Sequence, residues 1–311
     1  MRQFGRAMTD KWQPTVPGGV MRPDAIIAPN PNTRFAITAA RLAALAPGHP
    51  RATWLSSMAH LASAQQLALA AVAGIDGVTS SVFDQALDAG LPPIKARGHR
   101  RNSSWRTALF HILDAVDVST MTQRAHGITA RLRAEAPTGI EAIADQYLRD
   151  DVQISDTGAA LYVGAALQVY FTALAAKLPP DNLRPLLERR LCPCCGSMPS
   201  AGLIPATGNT PDTPHLYCSL CSTAWLYTRT ICTSCGEYGT TELHGIAGDA
   251  GAVKAETCNK CFTYAKMIYR EQDMEGDPYA DDLATLRLDS LVTEAGWTRR
   301  APNSLLVVAR Y

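Results

Sequence analysis

Apolar positions recur at helical spacing from Asn32 to Arg190, then switch to short alternating runs from Cys192 onward. The first regime predicts helices at Thr33–Ala46, which carries Phe35, Ile37, Leu42 and Leu45 and ends at Pro47-Gly48, and at Arg51–Ala73, stopped by Gly74. Further helices are predicted at Ser80–Ala89, Ser104–Val116, Thr120–Ala134, Ile140–Asp150, Thr157–Leu178 and Asn182–Arg190. Pro137, Pro179 and Pro180 act as punctuation. The most apolar stretch, Leu161 to Leu178, contains Gln168 and Lys177 and only just reaches the length of a membrane span. It reads as a central buried helix, with no stable membrane insertion.

The second regime predicts strands at Ala201–Pro205, His215–Tyr217, Ala224–Thr230, Thr240–Ile246, Val253–Thr257 and Tyr264–Tyr269. An amphipathic helix follows Asp277-Pro278 and runs to about Ala295, where Gly296 ends it; the apolar tail Leu305–Ala309 is expected to pack as a last strand or cap. The first 31 residues, rich in Pro, Gly and polar groups, read as an extended arm. The fold class expected is multi-domain α+β: an all-α helical bundle, two tandem four-cysteine modules of rubredoxin-like or zinc-ribbon type, and a short C-terminal helical segment. The boundaries fall at 1–31, 32–190, 191–230, 231–275 and 276–311.

Four Cys-x-x-Cys knuckles punctuate the strands, at Cys192/Cys195, Cys218/Cys221, Cys232/Cys235 and Cys258/Cys261. Each pair of knuckles is separated by 22 residues, so a single unit, C-x2-C-x22-C-x2-C, is written twice and uses eight of the nine cysteines. Two intervening residues let a tight turn aim both sulfurs at one point, and two such turns complete a tetrahedral all-sulfur site suited to iron or zinc. Matched CxxC spacing favours metal over disulfides, and pairing within each repeat lets each module fold around its own ion. The spacing does not choose between the metals.

The remaining candidates divide by chemistry. Cys194, inside the first knuckle, is an exposed, redox-active thiol, an alternate ligand or, the favoured reading, a spectator. His215 and His244 are expected outside the ligand sets, which already hold four sulfurs each. Trp225, Tyr227, Tyr264 and Tyr269 are expected to pack against the metal loops. The basic run Lys95, Arg97, His99, Arg100 and Arg101 reads as a solvated loop before it reads as a phosphate grip. Asp277, Asp281 and Asp282 fit a helix cap as well as a cation or docking site.

Composition narrows the function classes. The 311 residues are 47% hydrophobic and 18% charged with a net charge of +1. From Arg189 to Asp273 seven Lys/Arg face seven Asp/Glu, which leaves no positive footprint for nucleic acid. Met1–Trp12 lacks the apolar core of a signal peptide, so a cytoplasmic protein with reduced thiols is expected. No Ser/His/Asp series, phosphate loop or dinucleotide glycine pattern appears, and the chain is expected not to be an enzyme.

Several of these features together resemble the FdhE family, the accessory proteins of formate dehydrogenase. The resemblance is carried by Cys192-Pro193-x-Cys195-Gly196-Ser197, the three further knuckles and the stretch from Asp277-Pro278-Tyr279-Ala280-Asp281-Asp282 to Leu286. Weaker matches lie at Ala40–Leu45 with His49-Pro50, and at Ala165–Tyr170. It implies a cytoplasmic maturation factor that binds the catalytic subunit of respiratory formate dehydrogenase and is no subunit of the finished enzyme. It also implies rubredoxin-like sites that hold iron, with zinc as the alternative. Two other readings stay open: a rubredoxin-like electron carrier and a nucleic-acid-binding zinc ribbon.

Overall fold

The computed structural model describes residues 23–116, 122–153, 156–208, 210–249, 251–301 and 303–306. Seven α-helices come first among the described residues: α1 (Arg34–Leu45), α2 (Ala52–Ala68), α3 (Ser80–Asp88), α4 (Ser104–Ala115), α5 (Gln123–Ala134), α6 (Pro137–Arg149) and α7 (Thr157–Ala175). α7 is the axis of this part. On length and composition it could cross a membrane, but 89% of its apolar window is buried inside the protein. Gly164 explains how α6 approaches it: a Cβ there would lie 2.5 Å from the Tyr147 ring.

Two helical expectations need correction, and a third falls partly outside the described residues. Asn182–Arg190 is not a helix; a single 3-10 turn, Pro180–Asn182, precedes irregular chain. Pro185 supplies the reason, since it lacks an N–H and biases Arg184 away from helical angles. Pro137 does not interrupt but opens α6, at the first helical position where its missing donor costs nothing. The start expected at Thr120 lies outside the described residues; α5 begins at Gln123, capped by the Thr122 hydroxyl, which accepts from Ala125 N–H at 3.3 Å.

The strands are β1 (Ile26–Ile27), β2 (Pro199–Ile204), β3 (His215–Cys218), β4 (Ala224–Leu226), β5 (Thr241–His244), β6 (Val253–Cys258), β7 (Thr263–Tyr269) and β8 (Thr298–Arg299). They form one sheet in the order β1-β4-β3-β2-β7-β6-β5, with β8 beside β7. The first repeat contributes β4-β3-β2 and the second β7-β6-β5, so the same three-strand unit is laid side by side. The units join where β2 runs parallel to β7, with Gly202 opposite Met267. A Cβ on Gly202 would meet the Met267 sulfur at 2.3 Å, so any larger residue there would force the Met267 side chain to move. The expected arm is in part a strand, since Ile26 pairs with Trp225 at the sheet edge. Residues 1–22 and 307–311, which hold the rest of the arm and most of the expected tail, lie outside the described residues.

One face of the sheet shares a core with the helices; this core takes in Trp225, Met267 and Tyr269 together with Phe35, Leu55, Trp105, Leu109 and Phe171. The other face makes a smaller core from Ala201, Val253, Tyr264 and Ile268 under Leu288 and Val292. The single C-terminal helix expected is two, α8 (Ala280–Ala284) and α9 (Leu286–Glu294), broken at Thr285. The fully buried Lys266 ammonium accounts for the break, because it donates to the freed carbonyls of Asp282 at 2.7 Å and Thr285 at 3.3 Å. Asp282 balances this charge at 3.2 Å from Lys266 and 2.6 Å from Arg299, while Asn303 donates to its other oxygen.

Burial opposes ionisation of Asp282, but Arg299 and Lys266 outweigh it and hold the carboxyl below the ordinary carboxylate range. Its contribution to stability is therefore present above that range and lost as the pH falls through it. Asp282→Ala should cost about 3–5 kcal/mol in denaturant unfolding, since it leaves Lys266 and Arg299 to share Asp289 alone. The variant should also flatten the acid limb of the stability profile; an unchanged limb would show that the carboxylate is not the group responsible.

Two four-sulfur centres

Each knuckle is a tight turn whose shape follows from its hydrogen bonds. Gly196 N–H returns to the Cys192 carbonyl at 2.8 Å and Gly236 N–H to that of Cys232 at 3.0 Å. Both glycines have a φ of +76°, a conformation that L side chains rarely adopt. Cys192 N–H bonds to Ser197 O, and Cys232 N–H to Glu237 O, each at 2.9 Å. The first and third knuckles are thus the same local structure.

The turns bring the sulfurs of each repeat together. Cys192, Cys195, Cys218 and Cys221 form one group and Cys232, Cys235, Cys258 and Cys261 the other, with the sulfurs of each within 4.8 Å of one another. Cross-knuckle Sγ separations are 3.5 Å (Cys192–Cys221), 3.4 Å (Cys195–Cys218), 3.7 Å (Cys232–Cys261) and 3.8 Å (Cys235–Cys258). Four thiolates held at about 2.3 Å from one tetrahedral ion lie about 3.8 Å apart, so the donor set fits an iron or zinc ion. None of the nine cysteines is in a disulfide.

Backbone amides point at the sulfurs as a thiolate cage requires. Leu220 and Cys221 donate to Cys218 Sγ at 3.4 Å, Ser234 to Cys232 Sγ at 3.3 Å, and Lys260 to Cys258 Sγ at 3.4 Å. A threonine two residues after the last cysteine of each repeat reaches back to it, Thr223 at 3.2 Å from Cys221 and Thr263 at 3.0 Å from Cys261. That C-x-T echo was visible in the sequence. Without a cation the cages resist ionisation: burial pushes the Cys192 and Cys218 thiols well up and Cys232 up to about 12. Cys221 and Cys258 are the exceptions: burial raises both, but hydrogen bonds from the neighbouring cysteine thiols bring Cys221 well down, and those from the Thr240 hydroxyl and the Cys261 and Lys260 amides bring Cys258 down to about 6.

The surroundings of the two cages differ. All four sulfur-bearing residues of the first are buried within the main core. Helices supply its walls. Gln168 of α7 donates to Ser219 O, inside the second knuckle, at 2.8 Å, and Gln65 of α2 donates to the Gln168 amide oxygen at 2.8 Å. Thr172 of α7 meets Ser222 Oγ at 3.1 Å, and Arg34 of α1 reaches it at 2.8 Å. Tyr279 donates to Cys218 O at 2.9 Å beneath the Arg34 guanidinium, 3.5 Å from its ring. Ile94 and Ala96 amides bond to the Cys194 and Cys195 carbonyls at 2.9 Å. In the second cage Cys235 is exposed and Cys261 half-buried.

The other candidates fall into place around this frame. Cys194 is fully buried and belongs to neither four-sulfur group, which removes the reading of an exposed thiol. His215 spans the carbonyls of Asp24 and Thr213, and His244 lies against Trp297; neither joins a cage. Trp225, Tyr227, Tyr264 and Tyr269 are buried. The basic run is divided: Lys95, Arg97 and Arg100 are exposed, but Arg101 is tied to Glu141 and Asp145. The acidic run is buried structure. Asp277 Oδ1 accepts from Tyr279 N–H at 3.0 Å and Ala280 N–H at 2.7 Å, a cap for α8, and from Thr38 of α1. Asp281 holds Arg41 of α1 at 2.6 Å. These carboxylates bind α1 to the C-terminal segment and are not a surface for cations or partners. Arg34 and Tyr279 gave no sequence signal as walls of the cage; Gln168, a polar side chain in an apolar helix, did.

Comparison with known proteins covers most of the chain, from residue 23 to residue 306. The family model FdhE, N-terminal, matches residues 23–188; FdhE, central domain, matches 191–229; FdhE, C-terminal domain, matches 230–306. An FdhE homolog of Edwardsiella ictaluri (strain 93-146) is 32% identical over 309 residues, 93% of each chain. One from Stutzerimonas stutzeri (strain A1501) is 34% identical over 284 residues, 89% of this chain and 90% of that one. The crystal structure of the FdhE protein from Pseudomonas aeruginosa superposes with a TM-score of 0.80 at 30% identity, covering 92% of this chain and 100% of that one.

Equivalent cysteines in the two cages should respond differently to removal. Cys195→Ser, inside the shared core, should lower the main unfolding free energy by more than about 4 kcal/mol. Cys235→Ser, at an exposed position, should leave that transition within about 1 kcal/mol of wild type while abolishing one bound ion. Denaturant unfolding followed by helical circular dichroism, with metal counted per chain, checks both; equal losses would show that the cages are energetically equivalent.

Proposed function

The chain belongs to the FdhE family, and from that premise we propose that it is an accessory protein for the maturation of respiratory formate dehydrogenase, acting in the cytoplasm on the catalytic subunit. The observation that carries this reading is the collinear match of all three family regions over residues 23–306. In this reading the protein works by binding; its most conspicuous acidic cluster is spent on internal ties, Asp281 to Arg41 and Asp282 to Lys266 and Arg299.

In this proposal the chain divides as its composition does, into an arm (1–31), a helical domain (32–190), two four-cysteine modules (191–230 and 231–275) and a C-terminal segment (276–311). Cys192, Cys195, Cys218 and Cys221 hold one ion, and Cys232, Cys235, Cys258 and Cys261 the second. The ions are iron, with zinc as the alternative. An all-thiolate iron site supplies one-electron redox chemistry, which zinc does not. The exposure of Cys235 favours a redox-sensing role at the second centre over the first.

Protein purified without added metal should carry two iron atoms per chain and show ferric tetrathiolate absorption that bleaches on reduction. It should also retain the catalytic subunit of formate dehydrogenase in a pull-down. Colourless, zinc-loaded protein would restrict the metal to a structural role, and failure to retain the subunit both in air and under anaerobic conditions would sink the accessory reading.

A further inference from the structure

The duplication provides a comparison inside one chain. Ser219, Leu220, Ser222 and Thr223 of the first repeat correspond to Asn259, Lys260, Phe262 and Thr263 of the second. In the first repeat this loop is roofed by α7 and α1 through Gln168, Thr172 and Arg34. In the second, Asn259, Lys260 and Phe262 are exposed, and so are Cys235 and Tyr238 on the facing knuckle. Phe262 is 58% exposed and Tyr238 72% exposed.

Phe262 also sits in an unfavourable conformation. Its φ is +53°, matching +61° at Ser222, because the turn after the last cysteine requires a left-handed residue. Asn or Gly adopts that region readily, whereas a bulky aromatic is strained there. A ring mostly in water gives the fold little packing in return for that strain. An exposed aromatic held against its own backbone preference points to a contact outside the chain.

We infer that the open face of the second centre, anchored by Phe262 and Tyr238, is the docking face for a helix of the client polypeptide, seated as α7 is seated on the first centre. This rests on the reading above that the protein binds a client. The first repeat shows what covers such a cage: a helix with an apolar stripe, an amide that reaches the knuckle carbonyl and a hydroxyl at the left-handed residue. Charge on the second face is mixed, since Glu237 and Lys260 are both exposed, so apolar contact with the two rings selects the partner.

The test titrates purified catalytic subunit of formate dehydrogenase against wild type, Phe262→Asn, Tyr238→Ser, the double variant and Leu187→Ser. Leu187 is 97% exposed and lies outside both repeats. Affinity of the double variant should fall about tenfold or more. Phe262→Asn should keep both ions and melt no lower than wild type, since asparagine suits the backbone; Leu187→Ser should bind normally. Should Phe262→Asn lose an ion, Tyr238→Ser, which leaves that turn untouched, decides the matter by its own loss of affinity. A double variant that binds as tightly as wild type overturns the docking face alone. A wild-type dimer in sedimentation that the double variant splits, with client affinity intact, overturns it in favour of self-association. If wild type itself does not bind, the client reading falls and the docking face with it.

Discussion

Four thiols held within 4.8 Å of one another can all be deprotonated only when a cation shares the site, and the rest of this molecule is arranged around that constraint. In the first cage the sulfurs belong to the same core as Phe35, Leu109 and Phe171, so the helices and the sheet cannot be packed separately from the cage. Gln168 makes the dependence specific: its amide is held by Gln65 and delivered to the Ser219 carbonyl, tying α2 and α7 to the knuckle itself. Buried polar groups of this kind are stabilising only when every partner is present. The cage therefore acts as the point where three elements, α1, α7 and the C-terminal segment, are brought into register.

The second cage repeats the same backbone hydrogen bonds, the same glycine and threonine positions and nearly the same sulfur spacing. What differs is the wall. Joining β2 to β7 places the second unit at the far end of the sheet, beyond the reach of α7, where β5 is the outer strand of the β-sheet among the described residues. Local chemistry is thus duplicated while its environment is not: one site is set up to hold the fold together, the other to meet solvent or a partner.

The ligand sets were legible in the sequence because Cys-x-x-Cys spacing dictates a turn, and a turn dictates where the sulfurs point. The strands between the knuckles were legible for a related reason, since a 22-residue excursion returning to its start is a hairpin. Helix existence followed from periodicity, but Asn182–Arg190 failed because Pro185 outweighed its apolar pattern. The break at Thr285 was hidden because its cause, Lys266, lies on a strand 19 residues away. The buried state of Asp277, Asp281 and Asp282 was equally hidden; their partners Thr38, Arg41 and Arg299 are brought to them only by the tertiary fold. Long-range charge pairing leaves no local signature.

The central claim is that two chemically equal cages differ in being walled or open, and native-state hydrogen exchange reads this at two matched amides. Leu220 N–H and Lys260 N–H each donate to a cysteine sulfur at 3.4 Å. Equal hydrogen bonds alone would give equal protection. The account predicts that Leu220 exchanges only with global unfolding while Lys260 exchanges by local opening, orders of magnitude faster in the metal-loaded protein. Matched protection at the two amides would contradict it.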